Sequence, residues 1–63
     1  MNVTINGELH QLRAATTIAD LISAEATGIA VALNGIVVRG ADHARTILTE
    51  GDVIEIVTAV QGG

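Results

Sequence analysis

Val3 and Ile5 alternate with Asn2 and Thr4 as far as Asn6-Gly7, and a period of two marks a strand with one buried face. Asn-Gly tolerates the positive φ angles of a tight turn, so the chain is expected to return over Leu9 to Leu12 as the second strand of a hairpin. A loop of two residues or of four puts Leu12 on the face of Val3 and Ile5 and carries His10 with it. A loop of three turns Leu12 away.

The period then lengthens. Thr17-Ile18-Ala19-Asp20 has the form of a capping box with Asp where Glu or Gln is usual. Ile18, Leu21, Ile22 and then Glu25 or Ala26 follow at helical spacing, and Gly28 can close the turn in a left-handed conformation. The spacing predicts a helix from about Ile18 to Ala26, with Leu21 on its apolar stripe and Asp20 away from it. Two apolar runs, Ala30 to Leu33 and Ile36 to Val38, flank Asn34-Gly35 and read as a second pair of strands. After Gly40, Ala41 to Arg45 can make one helical turn with Asp42 near its start. Glu50-Gly51-Asp52 is a turn in which Asp52 can bond backbone amides. Val53 to Val60 is the last strand, with Ile54, Ile56 and Thr58 on one face and Glu55 and Val57 on the other. Only Gln61, Gly62 and Gly63 follow.

Hairpin, helix, strands, turn and final strand assemble into an α+β domain, a mixed sheet of four to five strands with one main helix across one face. That is the β-grasp, or ubiquitin-like, architecture. Residues 1–60 are expected to form the domain and residues 61–63 a flexible tail.

Composition narrows what such a domain can do. The chain has 63 residues, 49% of them hydrophobic and none aromatic, so the core is built from aliphatic side chains. At this size only about 60% of the unfolded surface is buried, which leaves no room for an enclosed active site. The longest apolar run, Ile29 to Leu33, is far below the roughly 20 residues that span a bilayer. Met1 to Ile5 lacks the basic region of a signal peptide, and a cytoplasmic, soluble, monomeric protein is expected. Without cysteine there is no disulfide, thiolate metal site or cysteine nucleophile. Three Arg, no Lys and seven acidic residues give a net charge of −4, which argues against nucleic acid and favours a partner with a basic surface.

No catalytic constellation or metal-ligand spacing is visible, so the chain is not expected to be an enzyme or to bind a cofactor or metal. His10 reads as a strand histidine, His43 as a loop histidine, and Arg39 and Arg45 as surface charges. The remaining candidate is the terminus. Two final glycines arise by chance in roughly one chain in two hundred at a glycine usage of about 7%. Glycine lets a backbone pass through a narrow channel at whatever φ and ψ a partner requires. A terminal carboxylate is ionised at neutral pH, with a reference pKa of about 3.3 to 3.7, and is a poor electrophile until activated. Transfer to AMP from ATP would activate it, and a sulfur donor could then convert it to a thiocarboxylate.

Val31-Ala32-Leu33-Asn34-Gly35, Glu50-Gly51-Asp52, Val53-Ile54-Glu55-Ile56-Val57 and Ala59-Val60-Gln61-Gly62-Gly63 closely resemble the sulfur carrier proteins of thiamine biosynthesis, the ThiS family. The resemblance covers nearly the whole chain. It implies that Gly63 is adenylylated by an ATP-using activating enzyme, converted to a thiocarboxylate with sulfur from a donor protein, and presented to thiazole synthase, with Gly62 as its flexible neighbour. Two positions depart from the family pattern. Val38-Arg39-Gly40 stands where Val-Pro-Arg is frequent, and His43 where tryptophan is frequent. Alternatives are a carrier similar to the small subunit of molybdopterin synthase, a ubiquitin-like modifier of lysines, and a β-grasp module that binds without covalent chemistry. For a carrier, Val57 with Val37 or Val38 is expected to form an apolar patch that docks on the activating enzyme, with Glu55 at its rim.

Overall fold

The computed structural model describes residues 1–22 and 28–58. Five strands are present: β1 (Asn2–Ile5), β2 (Glu8–Gln11), β3 (Ile29–Leu33), β4 (Ile36–Val38) and β5 (Val53–Thr58). They form one sheet in the order β2-β1-β5-β3-β4. β5 lies at the centre, parallel to β1 and antiparallel to β3, while β1–β2 and β3–β4 are antiparallel hairpins. Strands β1 and β5 are far apart in sequence, so the sheet closes only when the last strand inserts between two hairpins already specified locally.

Both hairpins use the same device. Asn6 and Gly7 have φ of 50° and 82°, Asn34 and Gly35 have φ of 51° and 84°, and each pair makes a two-residue loop. These left-handed angles are the reason for Asn-Gly: glycine carries no Cβ to clash there, and asparagine tolerates the conformation better than most side chains. Of the two loop lengths open for the first hairpin, the shorter occurs. Val3 pairs with His10 and the Leu12 N–H donates to the Met1 carbonyl at 2.8 Å, so Leu12 packs toward the core as expected.

The core is small and aliphatic. Val3, Ile18, Val31, Leu48 and Ile54 are buried, and Met1, Ile5, Leu12, Leu21, Ile22, Ile29, Leu33, Val38 and Ile56 pack around them. All lie on one side of the sheet or in the segments covering it, and alternation places Thr4, Ala30, Ala32, Val37, Val53, Glu55 and Val57 on the opposite, open side.

The predicted Ile18–Ala26 helix is the main correction. In the described part it is a single 3-10 turn, Ala19–Leu21, after which Ile22 is extended (φ −116°, ψ 135°); residues 23–27 lie outside the described residues. The capping box itself forms: the Thr17 N–H donates to Asp20 Oδ2 at 2.9 Å and the Asp20 N–H to Thr17 Oγ1 at 3.3 Å. The chain enters this turn from an extended bridge, Thr17 with Ile47, flanked by Ile18 N–H to Thr46 O at 3.1 Å and Leu48 N–H to Thr16 O at 2.8 Å. That bridge holds Ile18 in the core. One tight turn is then enough to bring Leu21 and Ile22 against it, because residues three apart eclipse in a 3-10 helix. The Ile18, Leu21 and Ile22 part of the stripe is thereby brought together at the core. Gly28 has the expected positive φ, 68°.

The second helical piece, predicted as Ala41 to Arg45, is a 3-10 helix over Gly40–Arg45. It makes His43 a helical rather than a loop residue. His43 is half-buried and its Nε2–H donates to the Val38 carbonyl at 3.0 Å, tying this helix to the end of β4.

Candidate functional site

The tail residues Gly62 and Gly63 lie outside the described residues, as do Ala59 to Gln61. What the structure defines is their base. β5 leads to the tail, and it is paired with a neighbouring strand on each side. Ile54 is fully buried and sits between Ile5 on one side and Leu33 on the other. On the β3 side the pairing continues to Ile29 opposite Thr58.

The two turn asparagines grip β5 at opposite ends. At its start, the Val53 N–H donates to Asn34 Oδ1 at 2.9 Å, the Asn34 backbone N–H donates to the Val53 carbonyl at 2.7 Å, and Asn34 Nδ2 donates to Asp52 Oδ1 at 3.1 Å. Asp52 also accepts from the Thr49 N–H at 2.8 Å and from the Thr49 hydroxyl at 3.2 Å. Partial burial of Asp52 pushes its pKa up, but the Thr49 backbone bond and the bonds from Asn34 and the Thr49 hydroxyl outweigh it, so the carboxyl titrates below its ordinary 3.8. The turn role foreseen for Asp52 is thus realised. At the far end, the Ile56 N–H donates to Asn6 Oδ1 at 2.8 Å and Asn6 Nδ2 donates to the Ile56 carbonyl at 3.1 Å. Sequence reasoning assigned both asparagines to their turns only, and missed what their side chains hold.

On the open face of β5, Val57 is 61% exposed, as alternation requires. It pairs with Ala30, while Glu55 pairs with Ala32, which in turn pairs with Val37. Small alanines on β3 therefore leave a shallow strip between Val57 and Val37. Val38 does not join it: opposite Val31, it faces the core and is half-buried. Glu55 lies within the patch rather than at its rim, between Val53 and Val57 along the strand. Val53 and Leu9, 44% and 75% exposed, extend the apolar surface through the Leu9-Thr4-Val53 row. Alternation along β2 and β5 places both on this face.

The other charged candidates lie elsewhere. Arg45 pairs with Asp42 at 3.2 Å on the surface, Arg39 is exposed just beyond β4, and His10 approaches Glu8 at 3.9 Å. No group of three or more His, Cys, Asp or Glu that could hold a metal occurs among the described residues, and no helix among them is long and apolar enough to cross a membrane.

A five-stranded sheet with parallel first and last strands at its centre, crossed on one side by short helical segments and leading at its last strand to a glycine pair, places the chain in the ubiquitin-like β-grasp class. Within that class the assignment is specific: a sequence model of the ThiS family matches residues 3–63, and the chain belongs to that family. The crystal structure of the thiamine biosynthesis protein ThiS from Geobacter metallireducens is similar at a TM-score of 0.82 with 28% sequence identity, covering 100% of both chains. No curated protein matches the sequence significantly.

Proposed function

We propose that this chain is a sulfur carrier of thiamine biosynthesis and that the Gly63 carboxylate is its working group. The observation that carries the proposal is the family match, which runs through the whole domain and ends on Gly63. Attack of the Gly63 carboxylate on the α-phosphorus of ATP, in the site of an activating enzyme, gives an acyl-adenylate and releases pyrophosphate. A persulfide on a donor protein then displaces AMP to give an acyl disulfide. Attack of a partner thiol on its sulfur–sulfur bond leaves a disulfide on the partner side and releases the thiocarboxylate that is the sulfur source for thiazole synthase. ATP is bound by the partner, not by this chain. The chain has no cysteine on which a persulfide could form, which supports the Gly63 carbonyl as the place where sulfur is carried.

Docking supplies the proximity that a dilute carboxylate lacks. Burying the Val57, Val37 and Val53 surface against the activating enzyme would make delivery of Gly63 to ATP nearly intramolecular, and Glu55, inside that surface, calls for a cationic partner group. The test is incubation with ATP and the cognate activating enzyme, followed by mass spectrometry. The full chain should gain an adenylyl group, and deletion of Gly63 should abolish the gain while leaving circular dichroism unchanged. An adenylate on the truncated chain would move the chemistry elsewhere.

A further inference from the structure

We infer that Asn6 is a positioning residue for this tail chemistry: its side-chain amide serves as an extra rung of the β1–β5 ladder and steadies β5 at Ile56, on the strand that leads to Gly63. The inference rests on the function proposed for Gly63. It starts from the geometry of the parallel pair. The Thr4 N–H donates to the Asp52 carbonyl at 2.9 Å and the Asn6 N–H to the Ile54 carbonyl at 2.9 Å. The next rung would need a donor and an acceptor opposite Ile56, but at Asn6 the backbone turns away into the hairpin with φ of 50°. The Asn6 carboxamide takes the place of the missing peptide. Its Nδ2 donates to Ile56 O and its Oδ1 accepts from Ile56 N–H, at 3.1 and 2.8 Å.

This rung stands where it matters for delivery. Beyond Ile54, the described backbone of β5 is paired with another main chain on its β3 side only. Asn6 makes the hold two-sided as far as Ile56, two residues before the last described one. With the rung removed, the strand end would swing about the β3 pairing, and fewer of its orientations would deliver Gly63 to a docked partner's ATP site. Positional error of about an ångström in a reacting group is enough to cost on the order of a hundredfold in rate. Asn34 offers an internal control. It sits at φ of 51°, in the same kind of turn, and makes a comparable pair of side-chain bonds, but at the start of β5.

The experiment compares Asn6→Gly with Asn34→Gly in adenylylation by the activating enzyme, with amide hydrogen exchange of Ile56 to Thr58 followed in the free protein. Glycine keeps the left-handed turn and removes only the side-chain bonds. Asn6→Gly should lower kcat about tenfold with KM changed less than twofold, and speed exchange at the end of β5. Asn34→Gly should lower thermal stability to a similar degree and leave kcat within twofold. Asn6→Asp provides a signature that simple destabilisation cannot give. As a carboxylate it sets an anionic oxygen against the Ile56 carbonyl, whereas as a carboxylic acid it restores the lost donor. Its kcat relative to wild type should therefore rise as pH falls from about 8 toward the carboxylic range. Equal kcat losses in Asn6→Gly and Asn34→Gly, or no loss in either, would overturn the inference. If the wild type itself takes no adenylate, the function proposed above fails instead, and the exchange data still decide whether Asn6 holds the strand end.

Discussion

The two faces of the sheet are built from nearly the same side chains and do opposite things. On the covered face Val3, Val31 and Ile54 are sealed by Ile18 and Leu48, whereas on the open face Leu9, Val37, Val53 and Val57 stay exposed although they are no less apolar. Hydrophobicity alone therefore does not decide burial in this chain. What decides it is where the linking segments cross the sheet, and among the described residues those are the short stretches around Ile18 and Leu48, pinned to one another by the Thr17–Ile47 bridge. Ile36, on the covered face but in the edge strand beyond them, is 71% exposed. Single exposed apolar residues are ordinary, but four on one face, in neighbouring rows of a domain this small, make a surface suited to a partner.

That contrast can be broken first on the covered face. Ile18→Ala, at a fully buried site, should cost about 2 to 5 kcal/mol, most of the stability expected of so small a domain, as read by urea unfolding. Leu21→Ala should cost less, because Leu21 is only half-buried beside that core. Equal losses would mean that the stripe, not the bridge, organises this side.

A change on the open face should have the reverse profile. Val57→Asp is expected to leave circular dichroism and the unfolding midpoint near wild type while weakening adenylylation at least tenfold, chiefly through KM, since it places a charge on the proposed docking surface beside Glu55. Activation at wild-type efficiency would show that the face is not used for docking.

The smallest effect sharpens the comparison at the hinge between faces, where Asp52 bonds the Thr49 turn. Its folded pKa lies below its ordinary 3.8, so its contribution to stability is complete at neutral pH and is lost as pH falls through the folded value. The thermal midpoint of the wild type should thus drop below about pH 4 more than that of Asp52→Asn, which keeps an acceptor but does not titrate in this range. Parallel curves for the two proteins would remove Asp52 from the acid response.

Much of this arrangement is legible in the sequence because its decisive residues act locally. Asn6-Gly7 and Asn34-Gly35 specify left-handed angles and hence two-residue loops, and from these loops the strand faces follow by alternation. Local signals fail where tertiary pairing takes over. Ile47 and Leu48 form an isolated apolar pair between two turn segments, without periodicity, yet Leu48 is core because the Thr16 carbonyl and the Thr17 bridge draw its backbone onto the sheet. The stripe from Ile18 suggested a longer helix because one 3-10 turn followed by an extended Ile22 yields the same spacing at its start. Val38 was offered equally with Val37 for the patch, although the Asn34-Gly35 loop already sets Ile36 opposite Leu33 and so turns Val38 inward. For the proposed site the balance reverses. Gly62 and Gly63 are evident as letters at the end of the sequence, whereas the hold that Asn6 and Asn34 exert on β5 is visible only once three distant segments are brought side by side.

The same two turns also set the chemical lifetime of the molecule. An asparagine followed by glycine is prone to lose its amide: the glycine nitrogen attacks the side-chain carbon, ammonia leaves, and water opens the ring to aspartate or isoaspartate. In the folded chain the Asn6 amide is engaged by Ile56, and that of Asn34 by Val53 and Asp52. Cyclisation must first detach these groups, so ageing should proceed through locally opened states and slow as folding stability rises. Peptide mass spectrometry of protein aged in native buffer and in denaturant should find both sites converting far faster in denaturant, and an equal rate in the two would show that the turns give no protection. Each converted Asn6 would leave a carboxylate facing the Ile56 carbonyl, so a carrier of this design would wear out first at the strand that presents its cargo.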